Sequence, residues 1–292
     1  MAFSESGHFD ANGPFSQLEL SSQINKINGK WVENSDTVSL SLEFFEGMQE
    51  VKPMLVAGLG LFAPWNKFLT GEKTGCSVCC VTTAMVTAIL HSKNNFIYNG
   101  NYYDFEGIRN ALSKNGHNPH KKIGDIGISN PKDSLSKSDS IVKRHIEYNE
   151  AVDSVAKLLT YIGSDIEVDY TTGTAWDYKG YNWLLEHEFP LTGMTYYLSH
   201  SLSRARDFLQ DRNLLILHSD LYRNDDYRGG HLMLIDGCRY WEFEGEIDKD
   251  MFYLSCDFGW DGDYNGYYRW DFFKTGEEEG WKPSGYRAIK IK

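Results

Sequence analysis

Two hydrophobic patterns recur along the chain, and they predict different secondary structures. From Val81 the apolar residues follow the three- and four-residue spacing of a buried helical face, up to the polar run that starts at Ser92. The same spacing predicts a helix over about 149–162, with Gly163 as its stop, and another near 201–212. Alternating or short apolar runs between Gly and Asp turns predict strands at about 166–170, 214–219, 231–236, 251–257, 266–272 and 286–291.

The order of these elements indicates the fold class. Helices come first and strands later, which favours an α+β protein with a mostly antiparallel sheet over an alternating parallel fold. The pattern becomes firm only from Val51, and residues 113–140 are so rich in Lys, Ser, Asn, Gly and Pro that we expect a long surface excursion there.

Composition and charge narrow the classes of function. The 292 residues can bury a sizeable core without metal or disulfides, and the formal net charge of -12 argues against general binding to nucleic acid or anionic lipid. No apolar run approaches the roughly 18–20 residues that cross a bilayer, so we expect no membrane insertion. Met1 to Gly13 lacks the pattern of a signal peptide, so we expect a cytosolic protein or one whose signal is not part of this sequence.

Three of the five cysteines, Cys76, Cys79 and Cys80, crowd directly before the helix that starts near Val81. A helix N-terminus favours a thiolate, so a cysteine there can become a nucleophile at neutral pH. Simple packing of the helix start is the alternative interpretation. A zinc site would need a second metal-binding pair beside the C-x-x-C spacing of Cys76 and Cys79, and none follows, so we expect no metal.

Two later segments could complete a catalytic site. GGHLMLIDG, residues 229–237, sets His231 at the opening of an apolar strand after two glycines, where we expect it to stand at a sheet edge. SCDFGWDGDYNGYY, residues 255–268, ends a strand at Asp257, whose carboxylate could accept the imidazole N–H and fix its tautomer. Taken alone, such a His is more often structural and such an Asp is more often a solvated turn residue.

Together these segments resemble the streptopain family of papain-like cysteine peptidases. The family has a G-C-V-A-T-A-M-like helix start, a G-G-H-A-x-V-I-D-G segment, and an N-W-G-W-G-G turn followed by a D/N-G-Y/F-F strand. Here the counterparts are residues 80–85, residues 229–237 and the DFGWDG turn at 257–262. VKPMLVAGLGLFAPWN, residues 51–66, is similar to the family's lead-in, and VAKLLTYIGSDIEVDYTTGTAWDY, residues 155–178, to its helix, strand and G-S/T-A loop.

The resemblance implies a papain-like fold, in which a central helix carrying the nucleophile packs against a mostly antiparallel sheet or barrel. It implies that Cys80 attacks the peptide carbonyl, His231 is the base and Asp257 orients it, with no cofactor. Thr174, Ala175, Phe258 and Trp260 would then line the substrate site, and the substrate would be a protein or peptide. Seven other histidines of the chain match no family motif and are expected to lie outside catalysis: His91, His117, His120, His145, His187, His200 and His218.

The same resemblance implies export, so we expect a secreted, periplasmic or cell-surface protein of a bacterium. FSESGHFDANG, residues 3–13, resembles the end of the family's inhibitory propeptide. We therefore expect an N-terminal segment at 1–45 that includes a propeptide remnant, a peptidase domain at 46–292, and the chain's own propeptide as a partner.

Some residues depart from the family pattern. Asp257 replaces the family Asn and keeps an acceptor, and Phe258 replaces a Trp, whereas Leu61 stands where the lead-in Gln would donate to the oxyanion. Losing one such donor costs about 2–4 kcal/mol in the transition state, so a binding or regulatory protein without turnover is the alternative function. The nucleophile is also ambiguous, because the family's T-G-C triplet matches residues 74–76 while its following residues match those after Cys80.

Overall fold

The computed structural model describes residues 48–117, 119, 138–223, 226–262, 265–271, 273–274 and 279–291. The predicted N-terminal segment at 1–45 lies outside the described residues, as does most of the predicted surface excursion. The helices are α1 (Cys80–Ser92), α2 (Phe105–Lys114), α3 (Ser138–Asp165), α4 (Asp177–Glu186) and α5 (Leu202–Gln210). The strands are β1 (Gln49–Val51), β2 (Asn95–Tyr98), β3 (Asn101–Asp104), β4 (Tyr196–Tyr197), β5 (Asn213–Arg223), β6 (Asp226–Phe243), β7 (Glu246–Asp257), β8 (Gly266–Arg269), β9 (Phe273–Lys274) and β10 (Glu279–Lys290).

The main sheet is antiparallel and open, with the order β4-β10-β5-β6-β7-β8. This confirms the predicted α+β class and excludes a closed barrel among the described strands. The 18-residue β6 pairs with β5 through its first half and with β7 through its second half. β1 adds to β6 beyond the end of β5, with Val51 opposite Cys238.

Helix α1 is the buried centre of the helical layer. Every residue from Val81 to Ser92 is buried, including three threonines, so the predicted apolar stripe is only part of a helix that is covered all round. Helix α4 approaches it closely at Gly180, where a Cβ atom would lie 2.7 Å from the Met85 sulfur and 2.8 Å from Val81 Cγ1. A glycine is therefore needed for the two helices to pack at this distance.

Several predicted boundaries are wrong. Helix α3 runs through Gly163 to Asp165, and no regular strand follows at 166–170. That segment turns at Glu167, whose φ is 56°, and contributes only an isolated bridge between Asp169 and Thr174. The alternating apolar residues of this segment are buried although the segment is a turn. Their alternation therefore reflects side-chain packing and not a strand.

A buried carboxylate ties the lead-in segment to the sheet. Asp236 of β6 is fully buried, and its Oδ2 accepts the backbone N–H groups of Met54 and Leu55, each at 3.0 Å. Further along the same segment, the Val78 N–H donates to the Leu61 carbonyl at 2.9 Å. The lead-in thus connects β6 to the loop before α1. Among the described helices, none combines the length and apolar character needed to cross a bilayer.

Candidate active site

The N-terminus of α1 has an unusual cap. Cys79 is the N-cap residue, with φ 74° and ψ 140°, and its carbonyl accepts the hydroxyls of Thr82 and Thr83 at 2.9 Å each. A positive φ is unfavourable by about 1–2 kcal/mol for a residue that has a Cβ atom. This turn directs the side chain of Cys80, the first residue of the helix, toward the sheet. Cys79 itself is completely buried.

The Cys80 thiol is held in a form that favours the thiolate. A hydrogen bond from the Cys79 thiol, the hydrogen bond and charge of the His231 ring, and the Leu232 N–H together hold its pKa well below the ordinary value, against the opposing effect of burial. The hydrogen bond to Cys80, burial and the neighbouring charge raise the pKa of Cys79. The thiolate is therefore favoured at Cys80 over Cys79.

The His231 ring is fixed by its surroundings. His231 lies inside β6 opposite Ser219, not at a strand opening or a sheet edge as predicted, because β6 begins at Asp226. The side chain is buried, and Nε2 lies 2.9 Å from the Phe258 carbonyl. A carbonyl only accepts hydrogen bonds, so Nε2 carries a proton, and Nδ1 is the ring nitrogen left to exchange a proton with Cys80.

The acceptor for the ring N–H is thus a backbone carbonyl, whereas the sequence predicted the Asp257 carboxylate. Asp257 Oδ1 accepts instead from the Gly259 N–H and from Asn265 Nδ2, both at 3.0 Å. Asn265 Oδ1 in turn accepts the Phe258 N–H at 3.0 Å. These three bonds fold residues 257–259 into a tight turn that presents the Phe258 carbonyl to His231.

Gly259 allows this turn to pack on the helix that carries Cys80. Its φ is 69°, and a Cβ atom there would lie 2.8 Å from Thr83 Cγ2, one helical turn beyond Cys80. Trp260 and Trp281 cover the imidazole, with ring centroids 5.1 and 5.3 Å from that of His231. The aromatic rings shield the His231 contacts from water and so strengthen them.

A cavity of about 500 Å³ opens beside the two residues and is lined by both Cys80 and His231. The predicted wall residues Thr174 and Ala175 also line it. Of the other two predicted substrate residues, Trp260 is half-buried against His231, and Phe258 is only 1% exposed and packs inward. Burial of Phe258 suits a residue that holds the imidazole better than one that contacts substrate.

The other predicted features of the site are also located. The Cys76 sulfur faces the Glu72 carbonyl at 3.9 Å in the preceding turn, away from the helix start. Leu61 lies beside the loop before Cys80 through its bond to Val78 and offers no side-chain donor there. Sequence reasoning did not single out Asn265 or the cavity residues Trp176 and Asp177. His218, which it expected outside catalysis, lines the cavity. The Asn-Gly pair at 265–266, which also opens the counterpart of the family's D/N-G-Y/F-F strand, is the local signal for Asn265, and by itself it indicates only a turn.

A family model described as the Peptidase C10 family matches residues 60–268. A search of curated proteins found no match. The solved structure of the active wild-type interpain A cysteine protease of Prevotella intermedia is similar over 80% of this chain and 93% of its own, at 18% identity and a TM-score of 0.48. Because the family match covers more than half of the sequence, the chain belongs to the Peptidase C10 family, the streptopain family of cysteine-type peptidases.

Proposed function

We propose that the protein is an endopeptidase in which Cys80 is the nucleophile and His231 the general base and acid. The observation that carries the proposal is the interaction between the Cys80 thiol and the His231 ring at the start of α1, at the wall of an open cavity. A helix N-terminus, an imidazole and a neighbouring thiol donor all stabilise the thiolate that attacks a carbonyl.

In the proposed reaction, the Cys80 thiolate attacks the scissile carbonyl and the peptide nitrogen leaves with a proton from His231. Water then enters, His231 removes its proton, and hydroxide attack on the thioester releases the acyl product and Cys80. The Phe258 carbonyl keeps Nε2–H in place through both steps. Asp257 acts indirectly in this scheme, by holding the turn that carries Phe258.

The oxyanion that forms on the scissile carbonyl receives little stabilisation in this scheme. The Cys80 backbone N–H supplies one contact at the helix start, where N–H groups have no intrahelical partner. Leu61 supplies none from its side chain, so we expect turnover below that of a site with two donors, by about 10²–10³-fold.

The test is digestion of a denatured protein with detection of internal fragments. Cys80→Ser and His231→Ala should each abolish fragment formation while the thermal unfolding midpoint stays close to that of the native chain. Cys76→Ser is the matched control and should retain activity, because its sulfur lies away from His231. Full activity in Cys80→Ser together with loss of activity in Cys76→Ser would show that the nucleophile is Cys76 and not Cys80.

Leu61 also supports a second candidate function, a binding or regulatory protein that keeps the reactive thiol but has lost turnover. Iodoacetamide separates the two. Rapid labelling of Cys80 alone with internal fragments supports the peptidase, whereas the same labelling without fragments from any denatured protein supports the binding protein.

A further inference from the structure

The cavity beside Cys80 has an excess of negative charge. Apart from the Cys80–His231 pair, its ionisable lining residues are three carboxylates, one lysine and one histidine: Glu167, Asp169, Asp177, Lys179 and His218. Lys179 forms an ion pair with Glu167 and lowers the pKa of that carboxyl, so these two charges cancel. Asp169 and Asp177 therefore determine the sign of the net charge in the cavity.

Asp169 stays ionised over the working range of a thiol enzyme. The hydroxyl of Thr171 and that of Thr172 donate to its carboxylate and lower its pKa. These bonds also hold the turn that forms the outer cavity wall, so substitution of Asp169 would disturb the wall together with the charge.

Asp177 is the carboxylate that can be changed cleanly. It is the first residue of α4, and its Oδ1 accepts the Tyr178 N–H at 2.7 Å, a bond that an asparagine oxygen can also accept. The partial positive charge at the start of α4 offsets only about half of its negative charge.

Trp176 adds a surface suited to a cation. Its side chain is 68% exposed, although it lines the cavity directly beside Asp177. An indole next to a carboxylate stacks well on a guanidinium or on the alkyl stem of a lysine. Its ring contacts that of Tyr178, with centroids 6.4 Å apart, and most of its surface remains open to a ligand.

We propose that this peptidase selects a lysine or arginine side chain close to the scissile bond of its substrate, with Asp177 and Asp169 binding the charge and Trp176 stacking on it. The inference rests on the proposed function, because Cys80 and His231 define which peptide bond lies at this cavity. It adds the substrate class, which the catalytic pair alone does not determine.

The experiment compares peptidyl epoxides that alkylate Cys80 and differ in one side chain, arginine or its neutral isostere citrulline, at each of the three positions before the reactive group. At one position we expect the arginine probe to react about tenfold faster than the citrulline probe. A preference of this size is expected for a partly solvated charge pair at close range. The preference should fall as salt is raised.

Variants assign the effect to residues. Asp177→Asn should reduce the arginine preference to about threefold or less, because the arginine probe loses more of its rate than the citrulline probe does. The matched control is Glu186→Gln, which removes the same charge from the exposed far end of α4 and should leave the preference intact. Equal rates for the two probes at all three positions, or an unchanged preference in Asp177→Asn, would overturn the proposal.

Failure of this proposal is distinguishable from failure of the proposed function. Fragments of a denatured protein with no enrichment of basic residues near the cleaved bonds would overturn the specificity alone. Absence of fragments would count against the endopeptidase, and the alkylation rates would still decide the specificity because they need no turnover.

Discussion

Cys79 gives a test of how the reactive thiol is activated. Its thiol donates to Cys80 and is the largest influence that lowers the pKa of Cys80, ahead of His231. Hydrogen bonds to charged groups are worth about 1.5–3 kcal/mol, and a thiol is a weak donor, so about 1.5 kcal/mol is expected here. Cys79→Ala removes the donor, and the pKa of Cys80 should rise.

The assay is the rate of iodoacetamide labelling of Cys80 across pH, with the labelled site identified by mass spectrometry. On the acidic side of the profile, Cys79→Ala should react about tenfold more slowly than the native chain, because the thiolate fraction falls by that factor. The two profiles should converge at alkaline pH, where both thiols are ionised.

Cys79→Ser is the matched control for this series. Both variants keep a Cβ atom, so the cost of the positive φ at residue 79 is the same in both, but only serine keeps a donor. The midpoint of the Cys79→Ser labelling profile should lie at the same pH as the midpoint of the native profile, or at a lower pH. Superimposed profiles for Cys79→Ala and the native chain would refute the role of Cys79 and leave His231 as the main source of the thiolate.

Three further predictions concern other parts of the site. Asn265→Ala removes the acceptor for the Phe258 N–H and the donor to Asp257, so kcat should fall about tenfold with KM little changed, measured by steady-state kinetics; an unchanged kcat would contradict the positioning role. Asp236→Ala leaves two buried N–H groups without their acceptor and should lower the free energy of unfolding by about 3 kcal/mol in urea titrations, with Asp236→Asn losing less. Leu61→Gln offers a donor near Cys80 and should raise kcat at least about tenfold; no gain would mean that the oxyanion is bound without this position.

The sequence predicted the centres of the regular elements better than their ends. The apolar stripe from Val81 placed α1 within one residue of its start, because that helix is buried along its whole length. The predicted strand at 231–236 is only the buried middle of β6, whose polar first residues extend into an exposed hairpin. Burial leaves a clear pattern in sequence, whereas pairing of exposed strands does not.

The atoms of the site were less predictable than its residues. The order of Cys80, His231 and the 257–262 turn indicated which segments meet. Which acceptor faces the imidazole depends on a positive φ at Gly259 and on two bonds from Asn265, and neither follows from residue types alone. Asp177 was missed because it lies at the start of α4, whose Gly180 weakens the helical pattern. Export and the propeptide remnant stay predictions.

The buried Asp236 carboxylate also bears on the order in which the protein folds. Its bonds to Met54 and Leu55 join positions 182 and 181 residues apart, whereas β5, β6 and β7 are neighbours in sequence and can pair early. Closing so long a loop is entropically unfavourable and tends to come late. The lead-in that this closure docks also holds the loop before Cys80 through the bond between Leu61 and Val78. Peptidase activity should therefore appear only after the rest of the fold has formed, so that a nascent or refolding chain is not exposed to its own nucleophile.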